Sequence, residues 1–438
     1  MAVKVALIGN MNNNFFSVVR YLRDRGIDAR LLLLNNEHPQ FHPSNDTFDL
    51  SYQNYTIQLG WGDGQSFYKM DKEKIENDLR EYDFIIGCNT VPAFLHKINR
   101  RIDIFATFGS DFYALPFIPS IPNPIRKLKY YYQYHTFHEA QRKGIQDACV
   151  INKEDVLPFS RKIVKKLGVS SKMYYFSQPA VYNKIFSLNR IKLYYNRSAW
   201  YHEFKRVRDN FDLVIFHHSR HIWKTYVDQH SNKGNDILIR GVCKFIKDNP
   251  DIKVCLVLFE YGPDVATSKE LVEKLGIKEN VQWFPMMPRK EILIGLSLAD
   301  LVTGQFSIGA VSCGTILEGL ALGKPVLHYK DETLPDLKGI SDYPYIQVRT
   351  EVDICEVLKD YRRNPSLYLK IGKEAAKWYE KNYVKRCMDK YVQLIEAKAE
   401  GNFPQIVEQW KLEDGNVRKK TEKNEIILTE NFLENGRL

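Results

Sequence analysis

Two short stretches carry side chains able to handle a phosphate group. In the first, His217-His218-Ser219-Arg220-His221 follows the apolar run Leu213–Phe216, and Lys233-Gly234 precedes a segment of helical periodicity, Asp236–Lys247. Arg220 offers a planar fork for phosphate oxygens and Lys233 a mobile point charge. The second stretch, Leu301–Tyr329, reads LVTGQFSIGAVSCGTILEGLALGKPVLHY. Its spacing predicts a strand, a loop of small residues from Gly304 through Gly314, a helix over Thr315–Leu322, and a second strand after Gly323-Lys324-Pro325. The first N–H groups of that helix have no intrahelical partner, so an anion can sit there. Gly309 and Gly314 leave room for a ligand to approach the backbone, and Ser307, Ser312 and Thr315 add hydroxyl donors. Glu318 leans back toward the same end, either to complement the helix dipole or to accept from a sugar diol.

Two cations and a helix amino end could hold a diphosphate and neutralise it as it departs. His217 and His221 would share a face only on a helix, and here they follow a strand, which argues against a metal site. The chain has no Asp-x-Asp, no Walker loop, no Gly-x-Ser-x-Gly and no Gly-x-Gly-x-x-Gly after its first strand. A metal and a nicotinamide cofactor are therefore not expected.

The elements that must position these residues alternate. Strands are expected at Val3–Ile8, Ala29–Leu34, Phe84–Ile86, Ile102–Phe105, Ala148–Asn152 and Met173–Phe176, with helices between them. Two of the resulting strand-end loops could touch a substrate. Asn10 and Asn12 lie in an asparagine-rich loop that is either a contact or simply a turn built of good turn formers. In Phe108-Gly109-Ser110-Asp111 the carboxylate either accepts from a sugar hydroxyl or caps a helix. Asn35–Asp71 reads as a long loop. Arg126–Arg142 interleaves basic and aromatic residues, as a solvated helix face does, and as a segment lying on anionic lipid or nucleic acid also does. Alternation resumes from Leu213 to Leu327, and from Glu351 the chain reads as helical.

The fold class expected is α/β, with two doubly wound Rossmann-like domains facing a cleft, a C-terminal helical segment and a tail. The boundaries fall at residues 1–200 for the first domain, 201–385 for the second, 386–400 for a helix packing back on the first, and 401–438 for a charged, loosely ordered tail. An excess of Lys+Arg (63) over Asp+Glu (53) favours anionic partners without naming them. Seven scattered cysteines and the lack of a long apolar run lead us to expect a cytoplasmic protein with reduced thiols.

With Arg220, Lys233-Gly234 and Glu318-Gly-Leu-Ala-Leu-Gly-Lys-Pro-Val326 in order, the second half resembles group 1 glycosyltransferases of the GT-B fold. Phe108–Asp111 adds a weaker likeness in the first half. The resemblance implies metal-independent, retaining transfer of a sugar from a nucleotide-sugar to a saccharide, glycan or lipid-linked acceptor. It puts donor phosphates on Arg220 and Lys233, the ribose on Glu318, and backbone donors across Gly309, Gly314 and Thr315. Asn10, Asn12, Gly109, Ser110 and Asp111 would face the acceptor, and Arg220, Lys233 and Asp111 would serve catalysis. Two departures are visible: Lys224 rivals Lys233 for the second cation, and Ala310 stands where the family carries a glutamate. A nucleotide-sugar epimerase on the same scaffold and a basic nucleic-acid-binding protein are the competing classes, though no nucleic-acid partner is expected. The basic surface also leaves open peripheral contact with an anionic membrane, at its inner face.

Overall fold

The computed structural model describes residues 3–152, 158–176, 178–226, 231–307, 309, 314–331 and 343–412. Six strands, β1 (Lys4–Ile8), β2 (Asp28–Leu33), β3 (Thr56–Gln58), β4 (Phe84–Gly87), β5 (Ile104–Ala106) and β6 (Val150–Asn152), form a parallel sheet in the order β3-β2-β1-β4-β5-β6. Six more, β7 (Leu213–Phe216), β8 (Val254–Glu260), β9 (Val281–Pro285), β10 (Leu301–Thr303), β11 (Val326–His328) and β12 (Ile346–Gln347), run β12-β11-β10-β7-β8-β9. Counted from its own first strand, each sheet has the doubly wound order 3-2-1-4-5-6. The two-domain α/β architecture expected from the alternation is the observed one.

Strands buried on both faces must be apolar throughout, and Val5–Ile8 and Leu213–Phe216 are fully enclosed runs of that kind. A ligand site belongs where the strand order reverses, outside the carboxyl ends of the strands. In the first sheet that point lies between β1 and β4, and in the second between β7 and β10. The loops leaving β7 and β10 are those that carry Arg220 and the approach to Glu318.

Three expectations need correcting. β3 lies inside the stretch read as loop, because only Thr56–Gln58 pairs with β2 and such a short edge strand leaves no period to detect. Met173–Phe176 contributes a single bridge, Ile151 to Met173, and then departs so that Phe176 packs against Tyr391 and Tyr174 against Trp410. The stretch from Gly401 does not begin as a loose tail. Residues 403–412 are helical and bury Phe403, Val407 and Trp410; residues 413–438 lie outside the described ones. The chain reaches this point through the helices Pro365–Trp378 and Arg386–Glu400, joined by a π-helical turn, Tyr379–Lys385. Lys398 meets Asp103 at 2.8 Å, so the last helices lie against the first half. Among the described residues no helix is long and apolar enough to cross a membrane.

Candidate functional site

Between the two halves lies an open cavity of about 640 Å³. Asn12, Thr107, Phe108, Gly109, Tyr175 and Gln178 line it from the first half, and His218, Arg220, Lys233, Gly314, Thr315 and Glu318 from the second. Arg220 is exposed, and among the described residues its guanidinium has no hydrogen-bond or ion-pair partner. Gly262, with φ of +117°, lets the chain pass beneath it: a Cβ there would stand 2.3 Å from the His221 carbonyl and 2.8 Å from Arg220 Cγ. Ser219 hydrogen-bonds the Gly304 carbonyl at 3.2 Å and Thr315 Oγ1 at 3.4 Å, fastening the arginine loop to the start of the helix Gly314–Ala321. Lys233 lines the same cavity, and its Nζ donates to Gln305 Oε1 at 2.9 Å.

The two glycines of the β10 loop do different things. A Cβ on Gly314 would meet nothing within 4 Å among the described residues, and Gly314 lines the cavity. A Cβ on Gly309 would collide with the Asp331 backbone nitrogen at 2.0 Å, so this glycine serves loop packing. Ala310 and Ser312 lie outside the described residues. Lys224 is exposed and is not among the cavity-lining residues; its backbone N–H, with those of Trp223 and Thr225, donates to the Asp264 carboxylate. Desolvation would raise the Asp264 pKa, but the Thr225 hydroxyl, donating to Oδ1 at 2.6 Å, and those three amides outweigh it and hold the carboxylate down at about 2.

His217 and His221 are spent inside the domain. His217 Nε2 accepts from Asn235 Nδ2 at 2.8 Å, which leaves the proton on Nδ1 to donate to Thr303 Oγ1 at 2.6 Å. His221 Nδ1 bonds Ser268 Oγ at 2.8 Å. Burial lowers both, His221 to about 4, so each is a neutral structural imidazole near neutrality.

Glu318 is buried within a chain of charges that the sequence did not reveal. Its Oε2 accepts from His218 Nε2 at 2.7 Å and its Oε1 from Arg289 Nε at 3.0 Å. Arg289 also donates to the carbonyls of Asn12 at 2.5 Å and Ala180 at 2.9 Å, both in the first half, and stands 3.8 Å from Asp46. Asp46, fully enclosed, pairs with Arg20 at 3.0 Å. Burial alone would raise Glu318, but the His218 hydrogen bond and the Arg289 charge together hold it below its ordinary value. For Asp46 burial wins, and its pKa rises despite the two arginines. Because a carboxylate only accepts, the hydrogen on His218 Nε2 is the one given to Glu318, and the buried Nδ1 has no partner among the described residues. Arg289 was legible in one respect: a cation at the first position of the helix Arg289–Leu298 opposes the dipole and so calls for a specific anion.

The residues expected on the acceptor side diverge. Asn12 and Gly109 line the cavity. Asn10 is fully buried, donating to Asn13 Oδ1 and the Phe41 carbonyl and accepting from the Phe16 N–H at 2.9 Å. Asp111 is buried in the first turn of the short helix Ser110–Tyr113, whose cap residue is Gly109, and its carboxylate accepts from the amides of Phe108, Gly109 and Asn89 at 2.8–3.2 Å, so it braces the preceding loops and is not the helix cap. Ser110 is exposed and outside the set of lining residues.

Against solved structures about nine tenths of the chain finds counterparts of the same two-domain GT-B-like fold. Anabaena HepE in complex with UDP superposes with a TM-score of 0.56 at 13% identity, covering 90% of this chain and all of that one. A glycosyltransferase from Rickettsia africae gives 0.53 at 13% identity, covering 91% and 99%. A putative UDP-N-acetylglucosamine 2-epimerase from Listeria monocytogenes gives 0.54 at 13%, covering 92% and 99%. At such identities the likeness establishes the fold, and it spans transferases and epimerases alike. No family profile and no curated protein sequence matches the chain.

Proposed function

We propose that this chain is a glycosyltransferase that moves a sugar from a nucleotide-sugar to a saccharide, glycan or lipid-linked acceptor, with retention and without a metal. The observation that carries this is the convergence of an unpaired guanidinium, a lysine and an open helix start, Arg220, Lys233 and Gly314-Thr315, on one cavity walled by both halves. As the bond from the anomeric carbon to the diphosphate breaks, the electron pair goes to the phosphate oxygen, where those three donors stabilise it. The acceptor hydroxyl oxygen forms the new bond on the same face, and its proton passes to the phosphate oxygen just released. Glu318, fixed by His218 and Arg289, keeps lone pairs for the hydroxyls of the nucleotide ribose.

The experiment is a ligand screen followed by product analysis. UDP comes first because the solved HepE complexes hold UDP and UDP-glucose. A nucleoside diphosphate at one hundred times its Kd should stabilise the fold by about 2.7 kcal/mol. Retention is read from the anomeric configuration of the first product formed, and no stabilisation by UDP, GDP or ADP sinks the proposal.

A second reading has its own support. His218 lines the same cavity with Nε2 held by the Glu318 carboxylate, as an oriented general base is held, and use of its buried Nδ1 as the base would require that atom to be uncovered when the nucleotide-sugar binds. An epimerase must remove and return a proton on carbon, so solvent deuterium appearing in the recovered nucleotide-sugar would select that reading. Transfer without exchange would select the first.

A further inference from the structure

The helix Pro124–Asp147 ends, at its amino terminus, away from the body of the protein. Every residue from Pro122 to Lys129 is exposed, and the helix start is secured locally, by Pro124 and by Asn123 Oδ1 accepting from the Arg126 N–H at 3.0 Å. Its uncovered side chains are large and apolar: Ile125 is 79% exposed, Leu128 71%, Tyr132 85% and Tyr131 49%. Spacing of three and four places these on one stripe. Lys129 stands beside Ile125 on one edge of the stripe and Lys127 beside Tyr131 on the other, each four positions away, with Arg126 behind. No Asp or Glu occurs between Asp111 and Glu139.

We infer that this helix end docks the protein on an anionic phospholipid surface, the apolar stripe entering the headgroup boundary and the lysines on either edge meeting lipid phosphates. Exposing four such side chains in water has no structural return within the chain. Flanking cations set the occupant: they would repel the same face of a second copy, and a nucleic acid has no use for Ile125 and Leu128 at the centre of the stripe. The inference does not depend on the reading of the cavity.

The test is sedimentation of the full chain with vesicles of phosphatidylcholine alone and with about one third phosphatidylglycerol. Binding is expected to the anionic vesicles, weakening as salt is raised. Lys127→Glu with Lys129→Glu should lower the partition coefficient by at least about twentyfold, since each surface cation is worth roughly fivefold. Leu128→Ser with Tyr132→Ser should also weaken binding while leaving the charge unchanged. Because all four positions are exposed, neither pair should shift the thermal midpoint, which separates lost docking from lost folding. Equal binding to neutral and anionic vesicles, or wild-type binding by both double variants, would overturn the inference. So would a dimer in solution that the Leu128→Ser, Tyr132→Ser variant dissolves, or retention on RNA in place of lipid.

Discussion

The two sheets share a strand order, yet their switch points differ in what they leave for a ligand. Around the β1/β4 point, Asn10 is spent on the Phe16 N–H and the Phe41 carbonyl, and Asp111, in the short helix after β5, on the amides of Phe108, Gly109 and Asn89. Asn12 and Asn13, both at φ of 56°, hold a left-handed turn that asparagine adopts more readily than most residues. At the β7/β10 point His217, Ser219 and Lys233 are likewise paired, but Arg220 has no partner for its guanidinium among the described residues. Topology thus says where a ligand can bind, and the hydrogen bonds already made say which side chains remain for it. Arg289 joins the two regions, since it grips Glu318 on one side and two carbonyls of the other half.

The harshest way to break this comparison is to cut that link. Arg289→Met leaves Glu318 and Asp46 as buried carboxylates short of one cation, and losing one partner of a buried pair costs about 3–5 kcal/mol. Denaturant unfolding should register the loss, and adding Glu318→Gln should recover part of it. An Arg289→Met protein as stable as wild type would mean the halves are not joined there.

Arg220→Ala should do the reverse: no change in thermal midpoint, because the side chain is exposed and unpaired, but turnover lower by about a hundredfold or more, the worth of one donor to a developing anion. Lys224→Ala, outside the cavity, should stay within about threefold, as solvent-exposed charges do. If the two lysine and arginine variants fall together, the loop has been assigned the wrong cation.

Acid sharpens the comparison from the side of stability. His221 and His328 in the second half are held to about 4 by burial, whereas an unfolded chain protonates histidine near 6.5. Between those values the unfolded state binds more protons, so stability falls as pH drops from 6.5 toward 4. At pH 5 each should cost about 2 kcal/mol relative to neutrality. Measured unfolding between pH 7 and 5 should show that slope, and His328→Leu should flatten it.

How much of this was legible in the sequence depends on whether a feature is local. Strand and helix periods, the glycine stop at Gly323 and the polar loops are properties of neighbouring residues, and they gave the doubly wound halves. The pieces that escaped are set by partners far along the chain. β3 is defined by pairing with β2, Met173–Phe176 by aromatic contacts to the last helices, and the charge chain by Arg289 meeting Asp46 and Glu318. Glu318 itself was found for its place on a helix, while its fixed orientation required knowing that His218, one hundred residues earlier, lies against it.

Asp111→Asn addresses the remaining ambiguity, because the two roles the sequence allowed predict different measurements. A carboxylate that braces three amides loses charge-assisted bonds when it becomes an amide, and its new NH2 group faces donors. That should cost about 1–3 kcal/mol of stability in the first half. Nucleotide affinity should stay near wild type, since the diphosphate site proposed above, at Arg220 and Lys233, lies on the other half of the cavity wall. A carboxylate that acts on the substrate would instead leave stability almost unchanged and lower turnover at saturating donor. The buried position and the three short contacts argue for the first outcome, and the second would return Asp111 to the chemistry and weaken the contrast between the two switch points.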